Sequence, residues 1–373
     1  MLRRYWWPVG ISEHLKDKPT LIRLLSEDLV LFRNRSGSLG LIAAACSHRR
    51  ANLCFGYIEG EGLRCRYHGW KYAVDGKVLD IPGEPPESKL KESTQHRSYH
   101  VEEMHGLILA YLGPDPVSLV PRYDFLIGEG ERRITITGFS KSNWLQCVEN
   151  GMDPLHVSFA HNDSLSNLTD VPEMFFSQNE YGLVHKTFRP NGQEGTYFYR
   201  QHHMPMPGIS IGGGAQRRVK GGTGSGAMQA RWSVPIDDFN TMMLTVVYKP
   251  ADNTGQLPAD FSFAKWEAVK AEPYKEYKES RNPVLGYTIP ASVPSQDSTL
   301  VDSMGPICDR ENENLAQSDK IIRILRSMYL KAIQTVKDGG DPPGVFRDSS
   351  VIVTIRPLER VVTENERRSL ETK

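Results

Sequence analysis

Five cysteines in 373 residues, an odd number scattered between positions 46 and 308, are too few and too dispersed to frame a disulfide-built domain. No cleavable export signal precedes Tyr5-Trp6-Trp7-Pro8, which reads as the start of a folded domain. Cys54, Cys147 and Cys308 are therefore expected as reduced core thiols of a cytoplasmic protein. No apolar run is long enough to span a bilayer. Neither sign of charge is in excess: Lys plus Arg and Asp plus Glu number 45 each, for a formal net charge of zero. That balance argues against a nucleic-acid or membrane-surface partner. Internal repeats are lacking, and so is any flavin or dinucleotide fingerprint. A redox role would need electrons from a separate protein.

What the chain does have is two short Cys/His pairs. C-S-H supplies Cys46 and His48, and after sixteen residues C-R-Y-H-G-W supplies Cys65 and His68. Soft thiolates suit iron–sulfur clusters or zinc, and imidazoles suit iron, zinc or copper. Zinc fingers normally offer a Cys pair followed by a His pair. The interleaved order here suits a two-iron cluster, with both cysteines on one iron and both histidines on the other. Trading two thiolates for neutral imidazoles raises the reduction potential of such a cluster. A mononuclear Cys2His2 zinc site would use the same four residues and stays open as the plainer alternative. A Cys46–Cys65 disulfide is disfavoured without an export signal. Gly56 and Gly69 are expected in positive-φ turns around the site, and Ile81-Pro82-Gly83-Glu84-Pro85-Pro86 as a stiff third loop over it.

C-x-H-x16-C-x2-H followed by G-W, with Asp75-Gly76 and Pro82 downstream, resembles the Rieske domain of bacterial Rieske non-heme iron oxygenases. The match covers about residues 5 to 115. Arg66 departs from it, standing where the family often has proline. The substitution changes loop stiffness and charge but removes no ligand.

Taken in order, Leu21–Leu25, Leu29–Phe32, a turn at Ser36-Gly37-Ser38 and Leu39–Ala45 follow hairpin grammar. Leu63–Arg66, Trp70–Val74, Lys77–Ile81 and Leu107–Leu112 complete an all-β domain. Gly113-Pro114-Asp115-Pro116 breaks the pattern, so domains of 1–116 and 117–373 are expected. In the second, Arg132–Ser140, Leu183–Arg189, Thr196–Gln201, Gln229–Val234 and Thr241–Lys249 read as strands. Residues 143–161 are apolar at helical spacing, and 162–180 are polar and turn-rich. The glycines of 212–226 read as a flexible loop, because no Lys-Ser/Thr follows for a phosphate cradle. Residues 262–280 read as an exposed helix. An amphipathic helix capped by Ser318-Asp319 is expected to bury Ile321, Ile322, Leu325, Met328, Tyr329 and Ile333 and to stop at Gly339. This order predicts an α+β protein, with a large antiparallel sheet around one long helix.

Within 149–161 sit Glu149, Asp153, His156 and His161. Two histidines and a carboxylate leaving one face open is how proteins hold ferrous iron for oxygen chemistry. On a regular helix positions 156 and 161 lie about 140° apart and cannot both face one ion. Either a π-type bulge intervenes or His161 lies past the helix end. Asp153 precedes His156 by three residues, on the same face. Asp297, Asp302, Asp309 and Glu311 are all candidates for a third ligand, and spacing does not choose among them.

Here too the residues are similar to the family. Asn150, Asp153, His156 and His161 fit N-x2-D-x2-H-x4-H, its catalytic helix. The resemblance implies that His156 and His161 bind mononuclear iron. It implies that Asp153 is no ligand but bridges His156 to His68 of a neighbouring subunit in a head-to-tail homotrimer. Ser295-Gln296-Asp297, followed by Met304–Arg310, resembles the carboxylate segment of the phthalate-dioxygenase-like branch and implies Asp297 as third ligand. Trp232–Asp238 resembles a hairpin of that branch. Arg310 and Asp309 are expected in structural ion pairs. The implied fold is an N-terminal Rieske [2Fe-2S] domain plus a C-terminal helix-grip (START-like) sheet. The implied activity is that of a terminal oxygenase, fed by an NAD(P)H-dependent reductase or ferredoxin, that hydroxylates, dihydroxylates or demethylates an aromatic or heteroaromatic substrate. Gln146, Asn143 and the 208–226 loop are candidate pocket residues; Arg200 or Arg231 could meet an acidic group by bidentate pairing, but a surface salt bridge is the plainer expectation for both. The rival readings are an electron carrier with an appended ligand-binding domain and a zinc-stabilised binding protein.

Overall fold

Hydrophobic runs broken by tight turns give the N-terminal third of the chain a string of short strands. The computed structural model describes residues 1–162, 168–213, 227–251, 293–355 and 357–371. It divides into one unit of Leu2–Pro121 with Phe346–Asp348, and a second of Arg122–Val345 and Ser349–Lys373 together with Met1. In the first unit β1 (Trp6–Ile11), β2 (Thr20–Leu24), β3 (Glu27–Arg33) and β4 (Leu39–Ala43) are followed by β5 (Tyr57–Glu59), β6 (Gly62–Arg64), β7 (Lys71–Ala73) and β8 (Val78–Asp80). A single helical turn, α1 (Leu90–Ser93), precedes β9 (Ser98–Met104) and β10 (Leu107–Tyr111). The strands form a six-stranded sheet, β1-β10-β9-β4-β3-β2, and a four-stranded one, β5-β6-β7-β8. Every named pair is antiparallel. Their core joins Val30, Phe32 and Ile42 to Leu63, Tyr72 and Val78, and it encloses Cys46 and Cys65.

Two loops hang from this core. The first follows β4 and carries Cys46 and His48; the second links β6 to β7 and carries Cys65 and His68. Gly69 has φ +77°, and a Cβ there would lie 2.9 Å from the Pro82 ring. The proline loop therefore packs against the second ligand loop. Gly56 is a correction: its φ is −69°, not positive. Glycine is required there by crowding, since a Cβ would lie 2.5 Å from the Arg64 carbonyl.

The second unit begins with α2 (Asp124–Ile127) and β11 (Gly130–Ser140), then α3 (Trp144–Met152) and α4 (His156–Ala160). After them come β12 (Glu173–Gln178), β13 (Gly182–Pro190), β14 (Thr196–Pro205), β15 (Ile209–Gly213), β16 (Met228–Asp237) and β17 (Asn240–Pro250). The chain ends with α5 (Val293–Ser303), α6 (Lys320–Lys337), β18 (Leu358–Thr363) and α7 (Glu364–Glu371). One antiparallel sheet runs β11-β17-β16-β15-β14-β13-β12, with β18 added to β14. The α+β expectation holds. The stretch 162–180 is not all turn, because Met174, Phe175 and Phe176 pair with β13 as a half-buried edge strand. Asp319 stands at the start of α6, and Gly339, at φ +87°, follows its end. Ile333 is 38% exposed and does not belong to the buried face. The helix expected over 262–280 and the glycine run 221–226 lie outside the described residues. Among those described, no helix is long and apolar enough to cross a membrane.

Candidate metal centres

Asp153-Pro154 interrupts what the apolar spacing suggested was one helix. A residue before proline is driven to extended backbone, and Asp153 has φ −79°, ψ 114°. α3 ends there. The Asp153 carboxylate starts the next turn, Oδ1 accepting from Leu155 N at 2.8 Å and Oδ2 from His156 N at 3.3 Å. α4 then lasts only to Ala160, so His161 lies just past a helix end. Of the two arrangements open to the sequence, this one lets both imidazoles meet, with ring centroids 5.3 Å apart and nearly perpendicular.

Their tautomers follow from their partners. His156 Nδ1 lies 2.6 Å from the Asp153 carbonyl oxygen, and His161 Nδ1 lies 2.7 Å from Gln296 Oε1. Both partners only accept, so each Nδ1 carries a proton and each neutral ring keeps a bare Nε2. Those two Nε2 atoms stand 3.4 Å and 3.1 Å from Asp297 Oδ1, on α5. Oδ1 is buried and has no hydrogen-bond partner at these distances. Three lone pairs therefore converge within 4.8 Å of one another. A divalent cation resolves this repulsion, and the donor set, two imidazoles and one carboxylate, suits iron with open positions. Burial by itself would raise Asp297, yet His156, His161 and Arg231 outweigh it and hold the carboxyl well below its usual range. Burial likewise tends to lower His161, but Asp297 more than offsets this and its pKa rises.

The other acids are otherwise engaged. Asp302 accepts from Ser140 Oγ and, at 2.9 Å, from Lys141 N, pinning α5 to the end of β11. Asp309 caps a short 3-10 turn and bonds Asn312, rather than forming the expected ion pair. Glu149 pairs with Arg310 and Arg326. The expected pocket residues also have structural partners. Gln146 donates to Gly305 O at 3.0 Å and accepts from Cys308 N at 2.9 Å. Asn143 caps α3 and donates to Asp238 O. The cavity beside Asp297 is lined instead by Cys147, Asn150, Arg231, Met243 and Val301. Arg231 Nη1 stands 3.7 Å from Asp297 Oδ2.

In the first unit Cys46 and Cys65 are 1% and 3% exposed, whereas His48 is exposed and His68 half-buried. The histidine rings meet edge to face at 4.6 Å, and Trp70 stacks on His48 at 5.2 Å. All five cysteines are free. Among the described residues, the one group of three or more such donors lying within 4.8 Å of one another is the His156 set. Thiols inside and imidazoles outside is the division a two-iron cluster needs. Ser47 N donates to the Tyr72 oxygen at 3.2 Å, and the same oxygen lies 2.9 Å from Cys46 Sγ, where the phenol is the donor once the sulfur is a thiolate ligand. Ser47 Oγ lies 2.7 Å from His96 Nδ1, whose Nε2–H is given to the Ala43 carbonyl. Nothing in the sequence singled out Tyr72 or His96.

A cluster-bearing β unit and a helix-gripping sheet with an iron-type triad define a two-centre oxygenase. Comparison with known proteins agrees. Residues 5–100 match the Rieske [2Fe-2S] domain family, and 228–373 match the LigXa C-terminal domain-like family. The chain is 33% identical to the phenoxybenzoate dioxygenase subunit alpha of Ectopseudomonas oleovorans, over 95% of this chain and 86% of that one. It is 30% identical to the 5,5'-dehydrodivanillate O-demethylase oxygenase subunit of Sphingobium sp. (strain NBRC 103272 / SYK-6), over 94% and 80% respectively. Among solved structures, dicamba monooxygenase bound to dicamba superposes with TM-score 0.67 at 14% identity, covering 91% of this chain and 99% of that one. A carbazole 1,9a-dioxygenase oxygenase in complex with its ferredoxin gives 0.60 at 22%, covering 87% and 89%. The chain belongs to the Rieske non-heme iron oxygenases, as an oxygenase (alpha) subunit. It is an oxidoreductase acting with O2, and its cofactors are a [2Fe-2S] cluster and a mononuclear iron.

Proposed function

We propose that Cys46 and Cys65 hold the inner iron of the cluster, His48 and His68 the outer one, and His156, His161 and Asp297 the mononuclear iron. The observation that carries this reading is the orphaned Asp297 Oδ1 facing two Nε2 atoms whose rings are locked by Nδ1 bonds. The mononuclear iron, once bound, supplies the oxygen chemistry. This chain's residues fix its ligand tautomers, keep Asp297 ionised and leave a cavity beside the carboxylate. Asp153 is proposed as the inter-subunit link between the His68 side of a neighbouring cluster and His156, within a homotrimer. Its carboxylate is 27% exposed, and its own carbonyl takes the His156 proton. The donor is proposed to be an NAD(P)H-dependent reductase or a ferredoxin, and the setting cytoplasmic. The substrate is proposed to be an aromatic compound, as the names of the phenoxybenzoate and dehydrodivanillate relatives suggest.

Metal and sulfide analysis tests the assignment. Wild type is expected to carry about three irons and two acid-labile sulfides per chain, two of the irons in the cluster. His156→Ala and Asp297→Ala are expected to lose one iron with the cluster spectrum unchanged, and Cys46→Ser to lose the colour. Zinc in place of iron, or full iron in both second-unit variants, would overturn it.

A further inference from the structure

The first unit carries a buried histidine that the cluster assignment leaves without a task. His96 is 2% exposed and lies outside both ligand loops, just before β9. Its surroundings fix it from three sides. Its backbone N–H donates to Gly76 O at 2.9 Å. Gly76, at φ +82°, leaves no room for a Cβ, which would lie 2.1 Å from the His96 carbonyl oxygen. The His96 ring packs on the Tyr72 ring, with centroids 4.4 Å apart. Its Nε2 lies 2.9 Å from the Ala43 carbonyl oxygen, at the end of the strand that leads into the first ligand loop. The Asp75-Gly76 turn thus seats this imidazole between the loop and the phenol.

The tautomer follows from these partners. Burial first, and Arg50 after it, lowers the pKa of the ring, so at neutral pH its two nitrogens share one proton. A carbonyl only accepts, so that proton is on Nε2 and Nδ1 is bare. Nδ1 lies 2.7 Å from Ser47 Oγ, and the serine hydroxyl must therefore donate to it. Ser47 is exposed and stands between the ligands Cys46 and His48. Water competes for the polar groups of such a loop. A bond to an acceptor inside the protein resists that exchange.

Ser47 is tied at both its polar groups, Oγ to His96 and the backbone N–H to the Tyr72 oxygen at 3.2 Å. The same phenol oxygen faces Cys46 Sγ at 2.9 Å. His96 thus meets the Tyr72–Cys46 bond from two directions. One is ring against ring. The other runs through the Ser47 hydroxyl to the peptide N–H that holds the phenol oxygen. Hydrogen bonds weaken steeply when their angle is lost, so a loosened Ser47 would cost the sulfur part of its donor. Donors to ligand sulfur raise the potential of an iron–sulfur cluster.

We propose that His96 is a positioning residue of the cluster: by accepting from the Ser47 hydroxyl it fixes the first ligand loop and the Tyr72 bond to Cys46, and so raises the reduction potential. The inference rests on the reading of Cys46, His48, Cys65 and His68 as cluster ligands. Its test is potentiometric titration of the full-length protein, followed by EPR. His96→Leu and Ser47→Ala are each expected to lower the midpoint by about half, or more, of the fall that Tyr72→Phe produces, with iron and sulfide content unchanged. Because the effect passes through the phenol, His96→Leu is expected to add no further fall in a Tyr72→Phe background. His96→Gln keeps one donor and one acceptor and is expected to stay closer to wild type than His96→Leu. A wild-type midpoint in Ser47→Ala would overturn the proposal, as would falls that add in full in the double variant. Ser47 is exposed, so its variant decides the matter even if His96→Leu fails to fold. A wild type without acid-labile sulfide would instead count against the cluster assignment, so the two failures are distinguishable.

Discussion

Tyr72 gives its one phenol proton to a cysteine sulfur, and that bond bears on the redox properties of the cluster. Hydrogen bonds to ligand sulfur favour the reduced state, which carries more negative charge. Burial first, then Cys46, raises the pKa of the phenol, so it remains a donor at neutral pH. Tyr72→Phe is expected to lower the cluster potential by about 50 mV, the equivalent of ~1.2 kcal/mol for one electron. A potentiometric titration followed by EPR checks this, and an unchanged midpoint would remove Tyr72 from the account. His185 supports a prediction of the same scale about pH. Its folded-state pKa lies well below the usual value, whereas the unfolded ring titrates near about 6.5. Below that pH the unfolded chain binds a proton that the native one refuses, so stability falls on acidification until the folded pKa is reached. His185→Gln should therefore show a smaller drop in urea midpoint between pH 7 and pH 5 than wild type; equal drops would mean that the ring is protonated in the fold.

The element that matters most is the break between α3 and α4, and Arg189 is its clamp. The guanidinium is fully buried and donates to the carbonyls of Pro154 and Asp170 and to Ser158. Burial, then Arg200, lowers its pKa to about 10, so it stays charged at neutral pH. Arg189→Met leaves those carbonyls unmatched and is expected to cost about 2–3 kcal/mol. It should also weaken ferrous binding by tenfold or more with the cluster spectrum intact, as read by ferrous titration beside visible absorbance; wild-type iron affinity would show that the clamp does not govern His156. This break also shows what the sequence reveals and what it hides. The Cys/His pairs were legible because their ligands lie on short loops, where spacing is a local property. His161 past a helix end was one of two geometric options from the 3.6-residue period, and the end of α4 at Ala160 decides between them. Asp297 and Asp302 could not be separated by spacing, because the distinction depends on contacts 135 to 162 residues away, to Gln296's partner His161 and to Ser140. β12 was hidden because an edge strand with mixed burial lacks clean alternation. The Arg189 clamp left no local sign, since its partners are backbone carbonyls.

For the molecule as a whole, the proposed trimer makes a claim that a single chain cannot meet. If Asp153 serves the iron of its own subunit with electrons from a neighbour's cluster, each conducting junction draws one part from each of two chains. Asp153→Asn keeps the helix-starting acceptor, since asparagine caps as well as aspartate, so both metals should remain. Its turnover is expected to fall at least a hundredfold, because the bridging charge is gone. Cys65→Ser should lack the cluster but keep the second-unit iron. Neither variant turns over alone. Co-expressed with different tags and purified as mixed assemblies, they allow junctions in which an intact cluster on the Asp153→Asn chain meets an intact Asp153 and iron on the other. In a closed head-to-tail trimer that contains both kinds of chain, one junction in three is of this kind, so about a third of wild-type activity per chain should return. Transfer within one chain predicts none, because every chain in the mixture is broken at one end of its own path. Activity absent from verified mixed assemblies would therefore reject the inter-subunit route while leaving both metal sites as assigned.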